Sequence, residues 1–152
     1  MKKLEIGPNE NRALIQALQK VAFFKDLTIA QLDLMLPYIY LYEYKAGEGV
    51  FKKGDPGDAM YIVCEGTASV RIKKGFFSFA KTVTQLRPGD LFGEMALLDK
   101  KPRSATIIVE ETAKLFVMLV QDYEFVCQNN PQFGEIMRKI ATTRKFESSH
   151  WK

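Results

Sequence analysis

Histidine is almost missing from this sequence: its 152 residues contain one, His150. Zinc centres and His-dependent nucleophilic triads both rest on imidazole, so both chemistries are close to excluded. Cysteine is scarce as well. Cys64 and Cys127 each sit in an apolar context that suits a buried free thiol better than a bridge, as expected for a cytoplasmic protein. No apolar run reaches the roughly 18 residues that a membrane helix needs. Met1-Lys2-Lys3 has the charge of a signal-peptide start, but Glu5, Pro8, Asn9 and Glu10 interrupt any apolar region behind it. Charge of one sign is not abundant: 22 basic against 18 acidic residues leave +4, too little and too dispersed to argue for nucleic acid. Internal repeats, low-complexity stretches and linkers are absent too.

What is present is an ordinary globular composition, 47% hydrophobic and 26% charged. The length fits one domain, residues 1–152, large enough to bury its own core. Residues 9–36 read as helical. Leu14, Leu18 and Val21 form one apolar stripe. Thr28 and Gln31 form a capping-box pattern flanked by Leu27 and Leu32, and Leu32, Met35 and Leu36 give that second helix a buried face until Pro37 stops it. Residues 38–120 read as short strands between turns. Gly47 and Gly49 bracket Glu48, and Gly54-Asp55-Pro56-Gly57-Asp58 is a dense turn signal. Met60 to Cys64 is an apolar strand that Gly66 is expected to end. Ala68, Val70 and Ile72 alternate with polar residues, Lys73-Lys74-Gly75 reads as a hairpin tip, and Phe79 to Leu86 returns to the turn Arg87-Pro88-Gly89-Asp90. Ala105 to Val109 and Ala113 to Val120 are two further strands. Residues 122–148 are helical again: a short helix over Asp122 to Gln128, then a second one that Asn130 can cap and Pro131 can open. Phe133, Ile136, Met137, Ile140 and Arg144 share a face of that last helix. Turns at this spacing suggest a sandwich, jelly roll or barrel.

One segment carries chemistry: Phe92-Gly93-Glu94-Met95-Ala96-Leu97-Leu98, then Asp99-Lys100-Lys101, then Pro102-Arg103-Ser104-Ala105-Thr106. Gly89 and Gly93 let the backbone bend and another group come close. Glu94 to Leu98 can form one or two helical turns, whose leading N–H groups favour an anion. Arg103 can return with a bidentate fork for phosphate or carboxylate. Glu94 would repel a bare phosphate, but it suits the hydroxyls of a sugar, or it pairs with Arg103. Anion cradle, arginine and carboxylate together describe a ribose phosphate. The plainer alternative is a helix opened by Gly-Glu with a surface arginine behind it.

The same segment resembles the phosphate-binding cassette of the cyclic nucleotide-binding domain family, which includes protein kinase A regulatory subunits, cyclic-nucleotide-gated channels and the catabolite activator protein. The resemblance extends upstream through Gly47-Glu48-Gly49-Val50-Phe51, Gly54-Asp55-Pro56-Gly57-Asp58, Met60-Tyr61-Ile62-Val63 and Gly66, and covers roughly Phe24 to Arg144. It implies a mainly β fold, a jelly-roll type β-roll of about eight strands with N-terminal helices and C-terminal lid helices. It implies that Arg103 meets the exocyclic phosphate oxygens, with backbone N–H groups of the Met95–Ala96 turn and at Ser104 and Ala105. Glu94 would accept the ribose 2′-hydroxyl beside the Gly93 backbone, and Ser104 would reach the phosphate or the edge of a syn purine. Val83 and Leu91 would wall the base, and Met137, Ile140 or Arg144 would supply the lid.

The resulting expectation is a cyclic nucleotide sensor, for cAMP ahead of cGMP, without a catalytic constellation, cofactor or metal. It would act by conformational change, by contact with an effector protein, and without nucleic acid or membrane span. About 30 residues follow the β core, too few for a winged helix-turn-helix domain. A scaffold that keeps the fold without binding nucleotide is the alternative. A cupin-like enzyme would need clustered histidine and carboxylate ligands, which one histidine cannot supply. Phe76, Phe77 and Phe79 beside Lys73, Lys74 and Lys81 read as strand packing, with a partner or membrane contact as the sharper option. The basic tail from Gly134 to Lys152 reads as a solvated helix face.

Overall fold

A computed structural model describes residues 1–21, 23–73 and 80–148. The chain runs β1 (Lys2–Leu4), α1 (Pro8–Lys20), α2 (Ile29–Met35), one 3-10 turn (Leu36–Tyr38), β2 (Ile39–Tyr44), β3 (Gly49–Phe51), β4 (Ala59–Lys73), β5 (Ala80–Leu86), β6 (Leu91–Phe92), α3 (Met95–Asp99), β7 (Thr106–Leu119), α4 (Val120–Asn129) and α5 (Pro131–Ser148). All strand pairings are antiparallel, in the order β1-β2-β7-β4-β5, with β3 on β7 and β6 on β4.

Period-two alternation divides the core in two. Ile39 and Leu41 of β2, Met60 and Ile62 of β4, and Phe116 and Met118 of β7 face the helices, where they join Leu14, Leu18, Leu32, Met35, Phe133 and Met137. The residues between them, Ala59, Tyr61 and Val63 of β4 with Leu115 and Val117 of β7, turn into the roll with Phe92, Ile107 and Val109. One sheet thus serves two cores, which is why β4 and β7 are rich in apolar residues at both parities.

The structure matches the helix starts expected at Thr28 and Pro131, begins α4 at Val120 rather than Asp122, and differs in the strands. Thr28 and Gln31 form the reciprocal capping box, at 3.2 Å and 2.8 Å. Pro37 ends α2 but allows a 3-10 turn, because its missing N–H falls at the first positions of that turn. Gly66 does not end a strand. It sits at φ +80° inside β4, where the register with β7 shifts, and a Cβ there would lie 2.4 Å from the Thr112 carbonyl oxygen. The glycine makes a bulge that keeps a fifteen-residue strand paired while bending it. The two strands expected from Ala105 to Val120 are likewise one, β7, and Val120 already belongs to α4. These fusions, and the addition of β1, give seven strands among the described residues, close to the eight or so expected. β1 has only three residues, two of them lysines, and carries no apolar alternation to announce it; Lys3 lies over the Tyr40 ring at 4.4 Å.

Asn130 does more at the end of α4 than at the start of α5. Its side-chain amide donates to the Val126 carbonyl at 2.9 Å, while its backbone carbonyl accepts from Gly134 N–H at 2.9 Å. The hairpin read at Lys73-Lys74-Gly75 is supported by pairing up to Lys73 opposite Ala80. Its tip, with Phe76, Phe77 and Phe79, lies outside the described residues, as do His150 and the end of the basic tail. Cys64 and Cys127 are free thiols, half-buried rather than buried, and burial pushes both thiols up.

Candidate functional site

The roll opens into a cavity of about 640 Å³, within the size range of small-molecule sites. Phe51 of β3, Val70 of β4, Leu91 and Phe92 of β6, and Ile107 of β7 supply its apolar wall. Most of the residues between Gly93 and Ala105 supply the rest. Gly93, Glu94, Met95, Ala96, Arg103, Ser104 and Ala105 all line it, together with Leu91. Met137 and Ile140 do not. Met137 is buried in the helix-side core and Ile140 packs half-buried against that core, so in this arrangement α5 contributes no lid over the cavity from either residue. The side chains of Val83, on β5, and Arg144, on α5, lie outside the described structure.

Arg103 is held from its backbone outward. The loop that carries it docks on the Gly54–Asp58 turn: Arg103 N–H donates to the Asp55 carbonyl and Gly54 N–H to the Arg103 carbonyl, both at 2.8 Å. Gly57 makes this docking close, since a Cβ there would lie 2.6 Å from the Lys101 carbonyl oxygen. Only 7% of Arg103 remains exposed. Its guanidinium carbon lies 4.2 Å from the Phe51 ring centroid, a cation–π distance. Nη1 donates to the Gly93 carbonyl at 3.1 Å and Nη2 to the Ala59 carbonyl at 2.6 Å. Nε is buried with no hydrogen-bond partner among the described residues. A buried unpaired donor is uncommon and calls for an explanation.

Gly93 belongs to the same geometry. At φ +74° its carbonyl faces the guanidinium, and a Cβ would come within 3.0 Å of Arg103 Nη1. The Gly93 carbonyl also accepts the Ala96 N–H at 3.2 Å, so that amide, expected to meet an anion, is engaged here in the turn that opens α3. Ser104 and Ala105 N–H make no backbone bond among the described residues. Ser104 is exposed and Ala105 half-buried.

Glu94 occupies the N-cap position of α3 without a side-chain capping bond, which leaves its half-buried carboxylate at the cavity. It forms no ion pair with Arg103 among the described residues. The carboxylate nearest the guanidinium is instead that of Asp58, at 3.8 Å.

Sequence reasoning missed Asp58 and the aromatic floor. Tyr61 and Phe92 stack with ring centroids 5.0 Å apart, and Phe51 tilts against both. Burial pushes the Tyr61 phenol up, partly opposed by the nearby Arg103 charge. The available signal was the phase of β4: Tyr61 shares its parity with Ala59 and Val63, the side that turns into the roll. The Gly54–Asp58 segment was legible as a turn, but nothing local in it says that another loop packs there.

Comparison with known proteins gives a consistent result. The family described as "Cyclic nucleotide-binding domain" matches residues 41–130. A cyclic nucleotide-gated potassium channel of Mesorhizobium japonicum is 33% identical over 130 residues, 86% of this chain and 34% of the channel. The cyclic AMP receptor protein of Thermus thermophilus is 35% identical over 125 residues, 82% of this chain and 57% of that protein. The chain therefore spans between a third and three fifths of the length of these two relatives. Among solved structures, a cyclic nucleotide-binding domain from Methylobacillus flagellatus superposes with a TM-score of 0.75 at 20% identity, covering 98% of this chain and 86% of that one, a likeness of fold.

Proposed function

Since the chain belongs to the cyclic nucleotide-binding domain family, we propose that it is a sensor that binds a cyclic nucleotide, cAMP ahead of cGMP, in the cavity between Gly93 and Ala105. Domains of this family are regulatory rather than catalytic, and no group of residues that could hold a metal ion occurs among the described residues. No helix among the described residues is long and apolar enough to cross a membrane. The relatives in hand carry both ligand names: one is a cyclic AMP receptor protein, and a cGMP-dependent protein kinase of Toxoplasma gondii is 43% identical over 102 residues, 9% of that kinase.

Arg103 carries the reading. It is a buried guanidinium whose Nε has no partner among the described residues, on the wall of a cavity that is otherwise largely apolar. A cyclic phosphate bears one negative charge and two exocyclic oxygens, which a planar fork can meet in pairs. Glu94 stands on the same wall as an acceptor for the ribose 2′-hydroxyl. Phe51, Val70, Leu91 and Ile107 offer apolar surface to the rest of the nucleotide.

The output follows from the position of the cassette. Lys100 follows α3 as its C-cap, and its ammonium reaches Glu124 of α4 at 2.6 Å. A ligand that draws α3 toward the phosphate therefore also pulls on the C-terminal helices. Binding selects the arrangement in which those helices close, a population shift that an effector protein reads by contact. We read residues 1–152 as one nucleotide-binding domain that acts in the cytoplasm without nucleic acid. A scaffold reading keeps one observation in its favour: the Arg103 terminal nitrogens already have carbonyl partners. Calorimetry with cAMP, cGMP and 5′-AMP separates the two. Binding of a cyclic nucleotide with weaker or no binding of 5′-AMP supports the sensor, and no heat from any of the three supports the scaffold.

A further inference from the structure

Resting on that reading, the geometry points to Lys101 as a second phosphate-side cation of the cavity, held by Asp99 until a nucleotide phosphate takes over that carboxylate's place. Asp99 and Lys101 both line the cavity, and Lys101 Nζ lies 3.2 Å from Asp99 Oδ2. Residue 101 precedes Pro102, which drives its backbone toward an extended conformation. Lys101 and Arg103, two residues apart, both line the cavity. The backbone at both positions is pinned to one turn: the Lys101 carbonyl packs on Gly57, and Arg103 bonds to Gly54 and Asp55. The two cations differ in burial. The Arg103 side chain is 6% exposed, that of Lys101 63%, which makes Arg103 the floor contact and Lys101 the rim contact.

Charge count gives Lys101 a task. The described lining carries two carboxylates, Glu94 and Asp99, and two cations, Lys101 and Arg103, with Asp58 close behind. Without Lys101 an arriving phosphate would meet two carboxylates against one guanidinium. With it, the phosphate can exchange for Asp99, a half-buried carboxylate that is a weaker competitor once it turns to water. Lys101 thus meets the anion directly from the rim, and its contribution should be screened by salt, because it sits at the solvent boundary.

The test uses the full chain and cAMP, titrated at low and at high ionic strength, with K101M, K101R and D99N and a thermal melt of each to show that it is folded. K101M is expected to weaken binding by about twofold to fivefold at low salt and to flatten the salt dependence, the scale of an exposed charge contact. K101R should stay close to wild type, and D99N should bind more tightly. Affinity of K101M within 1.5-fold (~0.2 kcal/mol) of wild type with an unchanged salt slope overturns the inference. So does a D99N variant that binds more weakly, or a K101R variant as weak as K101M. A wild-type protein that binds no cyclic nucleotide defeats the underlying reading as well, and is told apart from these outcomes by the first titration.

Discussion

Arg103 is the residue on which ligand binding and local structure meet. Its guanidinium donates to two backbone carbonyls and stacks on Phe51, so it is fixed before any ligand arrives. Fixing it beforehand lowers the ordering cost of capturing an anion. Arg103→Ala should therefore reduce cAMP affinity by about 2–5 kcal/mol, the range for removing one partner of a desolvated charge pair. Arg103→Lys should recover only part, because an ammonium cannot donate to the Gly93 and Ala59 carbonyls and form a fork together. Titration calorimetry reads both, and an alanine variant within threefold of wild type would remove Arg103 from the site. Glu94 is tested through the sugar. Wild type should prefer cAMP to 2′-deoxy-cAMP, since the analogue leaves a half-buried carboxylate without its donor. In Glu94→Gln that preference should narrow. Equal affinity of the wild type for the two ligands would assign Glu94 to another role.

At the scale of elements, the site is a loop docked on a turn, and two glycines separate docking from folding. Gly57→Ala places a Cβ 2.6 Å from the Lys101 carbonyl oxygen, so the loop that carries Lys101 and Arg103 must shift. We expect cAMP affinity to fall at least tenfold, with a stability loss of about 1–3 kcal/mol as for other overpacked contacts. Gly66→Ala is different in kind. It combines φ +80° with a Cβ 2.4 Å from the Thr112 carbonyl oxygen, in the bulge that joins β4 to β7. It should cost at least about 2 kcal/mol of global stability, read by urea denaturation, whatever its effect on binding. The same contrast explains what the sequence made legible. The capping box at Thr28 and Gln31 and the turns at Gly47, Gly54 and Gly89 depend on neighbours in the chain, and they were readable. The continuity of β4 through Gly66 depends on β7, more than forty positions away in sequence, and a glycine between two apolar runs looks locally like a stop. The cassette was legible as a motif, with Gly93, Glu94 and Arg103 in place. Asp58, Phe51 and Tyr61 join it only through sheet pairing and loop docking, which no local spacing announces. Met137 and Ile140 are lid candidates through the resemblance alone, and in this structure they sit with the helix-side core.

For the whole molecule, ligand binding and stability are one equilibrium. A ligand at 100 times its Kd adds about 2.7 kcal/mol to the folded state. For a chain of this size about 2–4 °C of melting temperature accompanies each kcal/mol. Saturating cAMP should therefore raise the melting temperature by about 5–11 °C, and Arg103→Ala should cut the rise to no more than about 4 °C at the same concentration. The identity of the purine can be read on this scale. Ser104 lines the cavity, is exposed, and its hydroxyl has no hydrogen-bond partner among the described residues, so it is available either to a guanine 2-amino group or to the phosphate. A single such bond is worth about 0.5–1.5 kcal/mol and cannot by itself produce strong selectivity. We expect cAMP to be preferred by less than about a hundredfold, which is under ~2.7 kcal/mol, so that at equal concentrations above both Kd values the two melting temperatures differ by less than about 11 °C. Ser104→Ala should lower the cGMP shift more than the cAMP shift. A larger shift with cGMP in the wild type would reverse the ligand assignment. An equal loss for both nucleotides in the variant would place the hydroxyl on the phosphate that they share.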